Sequence, residues 1–108
     1  MIVEMREYTL QAGKVPDYLK LYESEGLGIQ REILGHLVGY YATEVGPAVN
    51  QVVHLWAYDS FEDRLARRAR LAEHPGWQSY LQKMRPMLVA QSNRLLRPAP
   101  FFEEELRL

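Results

Sequence analysis

Two segments read as β-strands, whose side chains point in turn to the two faces of a sheet, and both put charged and aromatic groups where core is expected. Ile2–Leu10 puts Ile2, Glu4, Arg6, Tyr8 and Leu10 on one side of the pleat and Val3, Met5, Glu7 and Thr9 on the other. Gln51–Tyr58 puts Val52, His54, Trp56 and Tyr58 on one side against Val53, Leu55 and Ala57. Neither strand has a wholly polar side, so the sheet they build needs a covering on both faces. Leu37–Val45, rich in Tyr and Val, predicts another strand, with Gly46-Pro47-Ala48 turning the chain into Gln51–Tyr58. Asn93–Arg97, stopped by Pro98, predicts a short fourth strand at a sheet edge.

Between the strands the period changes to that of a helix. Behind a turn at Gly13 and a helix start at Pro16, the residues Val15, Tyr18, Leu19 and Tyr22 form an apolar stripe. Ile29 and Ile33 extend it, with a bend or break expected at Gly26 and Gly28. Ser60 followed by Asp63 predicts a capped helix start, with Phe61, Leu65, Ala69 and Ala72 as the buried stripe. Arg64, Arg67, Arg68 and Arg70, with Glu62, Asp63 and Glu73 nearby, then read as its solvated, ion-paired face. His74-Pro75-Gly76 interrupts that helix. A further one carries Trp77, Tyr80, Leu81, Met84 and Leu88 on one face and is kinked or ended near Pro86.

The order strand, helix, strand, strand, helix pair, strand predicts an α+β fold, a ferredoxin-like split βαβ antiparallel sheet with both helical layers on one face. The other face is most simply covered by a second copy, which makes the expected assembly a homodimer. The tail 101–108 has no place in this plan and is expected either to fray or to lie across the partner subunit.

At 108 residues the chain is read as one domain, 1–108, able to fold without staples. It has no cysteine, which excludes thiol catalysis, disulfides and thiolate metal sites and suits a reducing cytoplasm. A net charge of −1 argues against nucleic acid or an anionic membrane as the main partner. No apolar run approaches the roughly 20 residues of a membrane span, and the N-terminus opens with strand chemistry instead of a leader, so a cytoplasmic location is expected.

The segments Glu4-Met-Arg6-Glu-Tyr8-Thr-Leu10, Gly13-Lys14-Val15, Leu37-Val-Gly39-Tyr40, Asn50-Gln-Val-Val-His54-Leu-Trp56-Ala-Tyr58 and Arg97-Pro98-Ala-Pro-Phe101 together resemble the NIPSNAP family of the dimeric α+β barrel superfamily. The resemblance covers nearly the whole chain. It implies a homodimer in which two ferredoxin-like sheets stack face to face with helices outside, in agreement with the two-sided burial. It also implies a poorly defined activity, since the family brings no catalytic set to carry over. Related barrels include cofactor-free monooxygenases, small-molecule isomerases and haem proteins, with pockets commonly between sheet and helices. Fold analogy therefore supports a pocket and leaves the reaction open.

In the ferredoxin-like order the first and third strands are central antiparallel neighbours, so Glu4, Arg6 and Tyr8 can lie opposite or diagonal to His54, Trp56 and Tyr58. On a shared face Arg6 can grip an anionic group with two hydrogen bonds, His54 can move a proton near neutral pH, and Trp56 can stack on a planar ligand. The structural alternative is that Arg6 pairs with Glu4 or Glu7 while the aromatics fill core. His54 and Arg6 are the candidates for catalysis; Glu4, Tyr8, Tyr40, Trp56, Tyr58 and Trp77 are the candidates for ligand contact. His36, His54 and His74 lack the spacing of a metal motif, so no metal and no cofactor are expected. Nucleophile elbows, phosphate-binding loops and paired-carboxylate motifs are absent from the sequence. The expectation is a cofactor-independent binder of a small planar or apolar molecule, a monooxygenase or isomerase if it is an enzyme. The alternative is a non-catalytic interaction or carrier protein.

Overall fold

Four strands, β1 (Ile2–Leu10), β2 (His36–Ala42), β3 (Gln51–Tyr58) and β4 (Leu88–Leu96), form one antiparallel sheet in the order β2-β3-β1-β4. This is the arrangement in the computed structural model, which describes residues 1–107. The two strands with the clearest alternation are the central pair, and the fold is the ferredoxin-like one expected. β2 stops three residues earlier than its Tyr/Val content suggested, and the chain bends through 43–50 before β3. β4 is longer than expected. The 3₁₀ turn Arg85–Met87 built around Pro86 ends the preceding helix and releases Leu88 into the strand.

The helices lie on one face. The first is α1 (Val15–Leu21), a π segment (Tyr22–Gly26) and α2 (Leu27–Leu34) in unbroken succession, so the two glycines do not break it. Gly26 has a packing role: a Cβ there would sit 2.9 Å from the Tyr22 ring and 3.2 Å from the Tyr80 ring. The extra residue of the π turn and the missing side chain together let two tyrosines close over this point. Gly35, at φ 93°, ends α2 in a conformation that a side chain would strain.

α3 (Phe61–Glu73) starts as expected, with the Ser60 hydroxyl accepting from the Asp63 amide at 3.0 Å. Its orientation is not the expected one. Phe61 and Leu65 are 47% and 50% exposed, and Ala69 and Ala72 also face solvent. Arg64, Arg67, Arg68 and Leu71 turn inward instead. These four follow the same 3–4 spacing as the apolar set, and buried acceptors decide between them. Arg64 reaches Glu4 on β1, while Arg67 bonds both Asp63 and the carbonyl of Ile33 near the end of α2. The arginine stems supply the apolar cover that smaller side chains would have given.

α4 (Pro75–Met84) is capped by His74, whose Nδ1 accepts from the amides of Gly76 and Trp77, and it buries Trp77, Tyr80 and Met84. Among the described residues no helix is long and apolar enough to cross a membrane.

The second sheet face is only partly covered. The tail forms α5 (Pro100–Glu103) and a 3₁₀ turn, Glu104–Leu106, that folds back beneath this chain's own sheet. Leu106 is buried there against Val3 and Ala57, so the described part of the tail neither frays nor lacks a place; Leu108 lies outside the described residues.

The two glycines of the first helix have opposite expected responses. Gly26→Ala gains helix propensity but overpacks two rings, for a net loss of about 1–3 kcal/mol. A Cβ at Gly28 would meet no heavy atom within 4 Å, so Gly28→Ala is expected to stabilise by about 0.5–1 kcal/mol. Urea denaturation of the two variants checks the pair.

Candidate functional site

The pairing of β1 with its neighbours fixes which side chains meet. Glu4 lies opposite Trp56, Arg6 opposite His54 and Tyr8 opposite Val52, while Asn93 of β4 lies opposite Arg6 on the other side. On β2, Tyr40 lies opposite His54, and the alternation of the pleat puts Tyr40 and Tyr41 on opposite faces. Glu4, Arg6, Tyr8, Tyr40, His54, Trp56 and Tyr58 therefore share the helix-covered face.

Glu4 is fully buried and surrounded by donors. Its Oε2 accepts from Arg64 at 2.7 Å, Asn93 at 2.6 Å and Arg6 at 3.0 Å, and Tyr58 lies at 3.5 Å from Oε1. Burial opposes ionisation, but the bonds from Arg64 and Asn93 and the charges of Arg6 and Arg64 outweigh it and hold the carboxyl at about 2, down from 4.5. Glu4 is thus a locked carboxylate. Arg6, half-buried, divides its guanidinium between Glu4 and a long contact to the Tyr8 hydroxyl at 3.4 Å. The pairing of Arg6 with Glu4, the structural alternative, is present.

His54 is 1% exposed, stacked on the Tyr40 ring with centroids 4.5 Å apart and met edge-on by Tyr8 at 4.9 Å. Its Nδ1 accepts from the Trp56 indole N–H at 2.8 Å, which places the ring proton on Nε2. Burial, aided by the nearby Arg6 and Arg68 charges, depresses its pKa from 6.5 to about 3. His54 is therefore neutral at pH 7. The proton shuttle suggested by its intrinsic pKa is replaced by a fixed donor, because imidazolium would lose the indole bond and gain two cationic neighbours.

Around this row lies a tyrosine layer. The Tyr18 and Tyr40 hydroxyls are 2.5 Å apart, Tyr22 donates to the buried Gln30, and Tyr22 stacks on Tyr40 at 4.7 Å. Burial raises the pKa of Tyr18, Tyr22, Tyr40 and Tyr80, so these phenols stay protonated.

Two clefts open from the helix side. One, of about 420 Å³ between α3 and α4, is lined by Arg68, Leu71, Trp77, Gln78, Leu81 and Arg85. The other, of about 470 Å³ between the first helix and β2, is lined by Leu19, Lys20, Tyr22, Leu27, Arg31 and Tyr40. Of the predicted ligand contacts, Trp77 and Tyr40 line these clefts. Glu4, Arg6, Tyr8, His54, Trp56 and Tyr58 form the packed layer beneath and line neither cleft.

Among the described residues, three buried N–H groups have no hydrogen-bond partner: His54 Nε2, Arg64 Nε and Arg68 Nη1. Arg64 and Arg68 were missed because a run of arginines on a helix reads as a solvated face. The available signal was Glu4 itself, since a carboxylate on a sheet face requires cations from the layer that covers it. Among the described residues, no group of three His, Asp or Glu side chains is placed to hold a metal ion.

The NIPSNAP family model matches residues 3–103. Human protein NipSnap homolog 3A is 36% identical over 75 residues, 69% of this chain and 30% of that protein, so the chain spans less than a third of this curated relative. A NIPSNAP family protein of unknown function from Agrobacterium tumefaciens has a solved structure that is 46% identical, with a TM-score of 0.90 over 94% of this chain and 90% of its own. A putative antibiotic biosynthesis monooxygenase from Nitrosomonas europaea shares the fold at a TM-score of 0.66 and 12% identity, over 91% of this chain and 98% of its own.

The site sets a pH response. Glu4 has a folded pKa below its unfolded value, so its stabilisation is full above pH 4.5 and is lost as pH falls toward about 2. His54 is also depressed, and the unfolded chain takes up its proton first, so stability falls as pH drops from 6.5 toward about 3. Between about pH 6 and 4.5 the wild type is expected to lose about 1.4 kcal/mol per pH unit more than His54→Gln. Glu4→Gln is expected to cost about 3–5 kcal/mol at neutral pH and to flatten the fall at lower pH. Urea midpoints measured across the pH range check both.

Proposed function

The chain belongs to the NIPSNAP family, and from that footing we propose that it is a homodimer that binds a small, planar, apolar-bodied molecule in the cleft between α3 and α4, without a resident cofactor. The observation that carries this is the cleft itself. Its volume of about 420 Å³, like the roughly 470 Å³ of the cleft beside β2, lies within the range of roughly 300–1,000 Å³ usual for small-molecule sites, and Trp77 on its wall sets it apart as a platform for a planar ring. Trp77, Leu71 and Leu81 give it an apolar wall, and polar side chains of both helices stand at its rim.

Binding without turnover is favoured over isomerisation. A proton-transfer enzyme needs a group that exchanges near neutral pH. Here Glu4 is held ionised, His54 is held neutral, and the four buried phenols titrate above their ordinary range. Cofactor-independent oxygenation, in which the substrate supplies the electrons, is the form of catalysis that fits these groups. Its support is fold likeness alone.

The homodimer is supported by the second sheet face. Val3, Val38, Leu55, Leu96, Phe102 and Leu106 line an apolar groove of about 200 Å³ there, and Met5, Val53 and Leu55 are only half-buried by this chain. Stacking two such faces removes that surface from water.

The chain has two tryptophans, so two indole N–H signals report on binding. A planar probe such as 2-naphthol is expected to shift the Trp77 signal in a ¹⁵N-correlated spectrum and to leave Trp56 unmoved, because Trp56 is buried and committed to His54. Trp77→Ala is expected to weaken binding about tenfold, or about 1.4 kcal/mol. An unmoved Trp77 signal would rule the cleft out. For the assembly, sedimentation is expected to show a dimer that Leu55→Glu converts to monomer; a wild-type monomer would refute it.

A further inference from the structure

We infer that the ligand of the α3–α4 cleft carries a carboxylate-type oxyanion on its apolar body, and that Arg68 receives that group. This rests on the cleft described above as the binding site and names the chemistry it selects.

The inference starts from a charge count around Glu4. Arg6 and Arg64 both salt-bridge to this one buried carboxylate. Arg68 lies close enough to act on His54 by its charge and on Tyr58 by its charge and a side-chain hydrogen bond. The buried layer thus holds three guanidinium groups, one carboxylate and a neutral imidazole. Glu4 is committed to other donors, three close ones on Oε2 and Tyr58 at 3.5 Å from Oε1, and Arg68 is not among them. Arg68 forms no salt bridge among the described residues, and its Nη1 is buried without a partner.

Its neighbour one residue earlier shows what a satisfied arginine looks like on this helix. Arg67 bonds Asp63 at 2.9 Å and the Ile33 carbonyl at 3.1 Å. No carboxylate of the described residues pairs with this guanidinium, so an acceptor from outside the chain that meets its accessible edge is the natural complement. Arg68 also lines the cleft, with Leu71, Trp77 and Leu81 alongside and Arg85 contributing a second, exposed cation. Of the three orphaned groups, Arg68 is the one on a cleft wall. A ligand with its ring against Trp77 and an oxyanion toward Arg68 satisfies both features, and the planar fork of a guanidinium matches a carboxylate.

The test uses the purified chain with naphthalene-2-carboxylate and its uncharged analogue naphthalene-2-carboxamide, read by calorimetry and by the Trp77 indole signal. The wild type is expected to bind the carboxylate at least tenfold more tightly than the amide. Arg68→Gln is expected to abolish that preference by weakening the carboxylate far more than the amide, and Arg68→Lys to retain part of it. Equal wild-type affinities, or a preference that survives in Arg68→Gln, would overturn the oxyanion inference and leave the cleft standing. If neither probe moves Trp77, the cleft and the inference fall together. Urea midpoints separate a binding role from a structural one: Arg68 has no salt bridge to lose among the described residues, so Arg68→Gln is expected to cost far less stability than Arg64→Gln, which unpairs Glu4. A marked loss of stability in that variant would overturn the assignment.

Discussion

The carboxylate of Glu4, buried in the middle of a central strand, is the constraint on which the arrangement of this molecule depends. An ion in that position is tolerated only if it is paired and fully hydrogen-bonded. The sheet supplies two of the partners, Arg6 from the same strand and Asn93 from β4. The third must come from the helical layer, and Arg64 of α3 provides it at 2.7 Å. That demand turns α3 about its axis until its arginines face inward, leaving Phe61 and Leu65 at the surface. A single residue on β1 thus decides which face of a distant helix is core.

The same demand explains what was legible in the sequence and what was not. Strand identity, order and the sharing of one face by Glu4, Arg6, Tyr8, His54 and Trp56 follow from a period of two, which admits few alternatives. The first helix was legible as a stripe but not as a continuous π-containing rod, because the role of Gly26 lies in the approach of Tyr80 from another element. The orientation of α3 was misread because two stripes with the same helical spacing compete on it. Hydrophobicity alone selects Phe61, Leu65, Ala69 and Ala72, whereas the acceptors of Arg64 and Arg67 select the stripe those two share with Arg68 and Leu71. Propensity and pattern are local, and the deciding acceptor is sixty residues away.

The candidate site divided along the same line. Residues that looked chemical on the strands proved to be a packed polar layer, in which Glu4 stays ionised and His54 stays neutral for opposite reasons. For Glu4, donors outweigh desolvation; for His54, desolvation and two arginine charges act together. Titratable groups near a cavity are often the sign of a site, but here the shifts move both groups away from neutrality. They describe a rigid floor instead of an acid–base pair. The clefts open above that floor, and of the aromatics named in the sequence as ligand contacts, Tyr40 and Trp77 reach them.

A buried ionic layer is a poor way to gain stability, since well-packed hydrophobic residues of the same volume commonly do as well or better. Its value is in geometry. Glu4 pins Arg6 and Arg64, Asp63 and a helix-terminal carbonyl pin Arg67, and these fixed points hold α3 in one rotation. With the helix so fixed, Arg68 is carried to the cleft wall with no salt bridge among the described residues, and Leu71 one turn on continues the wall. The paired arginines therefore account for the rotation of α3. Arg68 is the inward-turned arginine of that helix that these pairings leave over, and it lines the cleft.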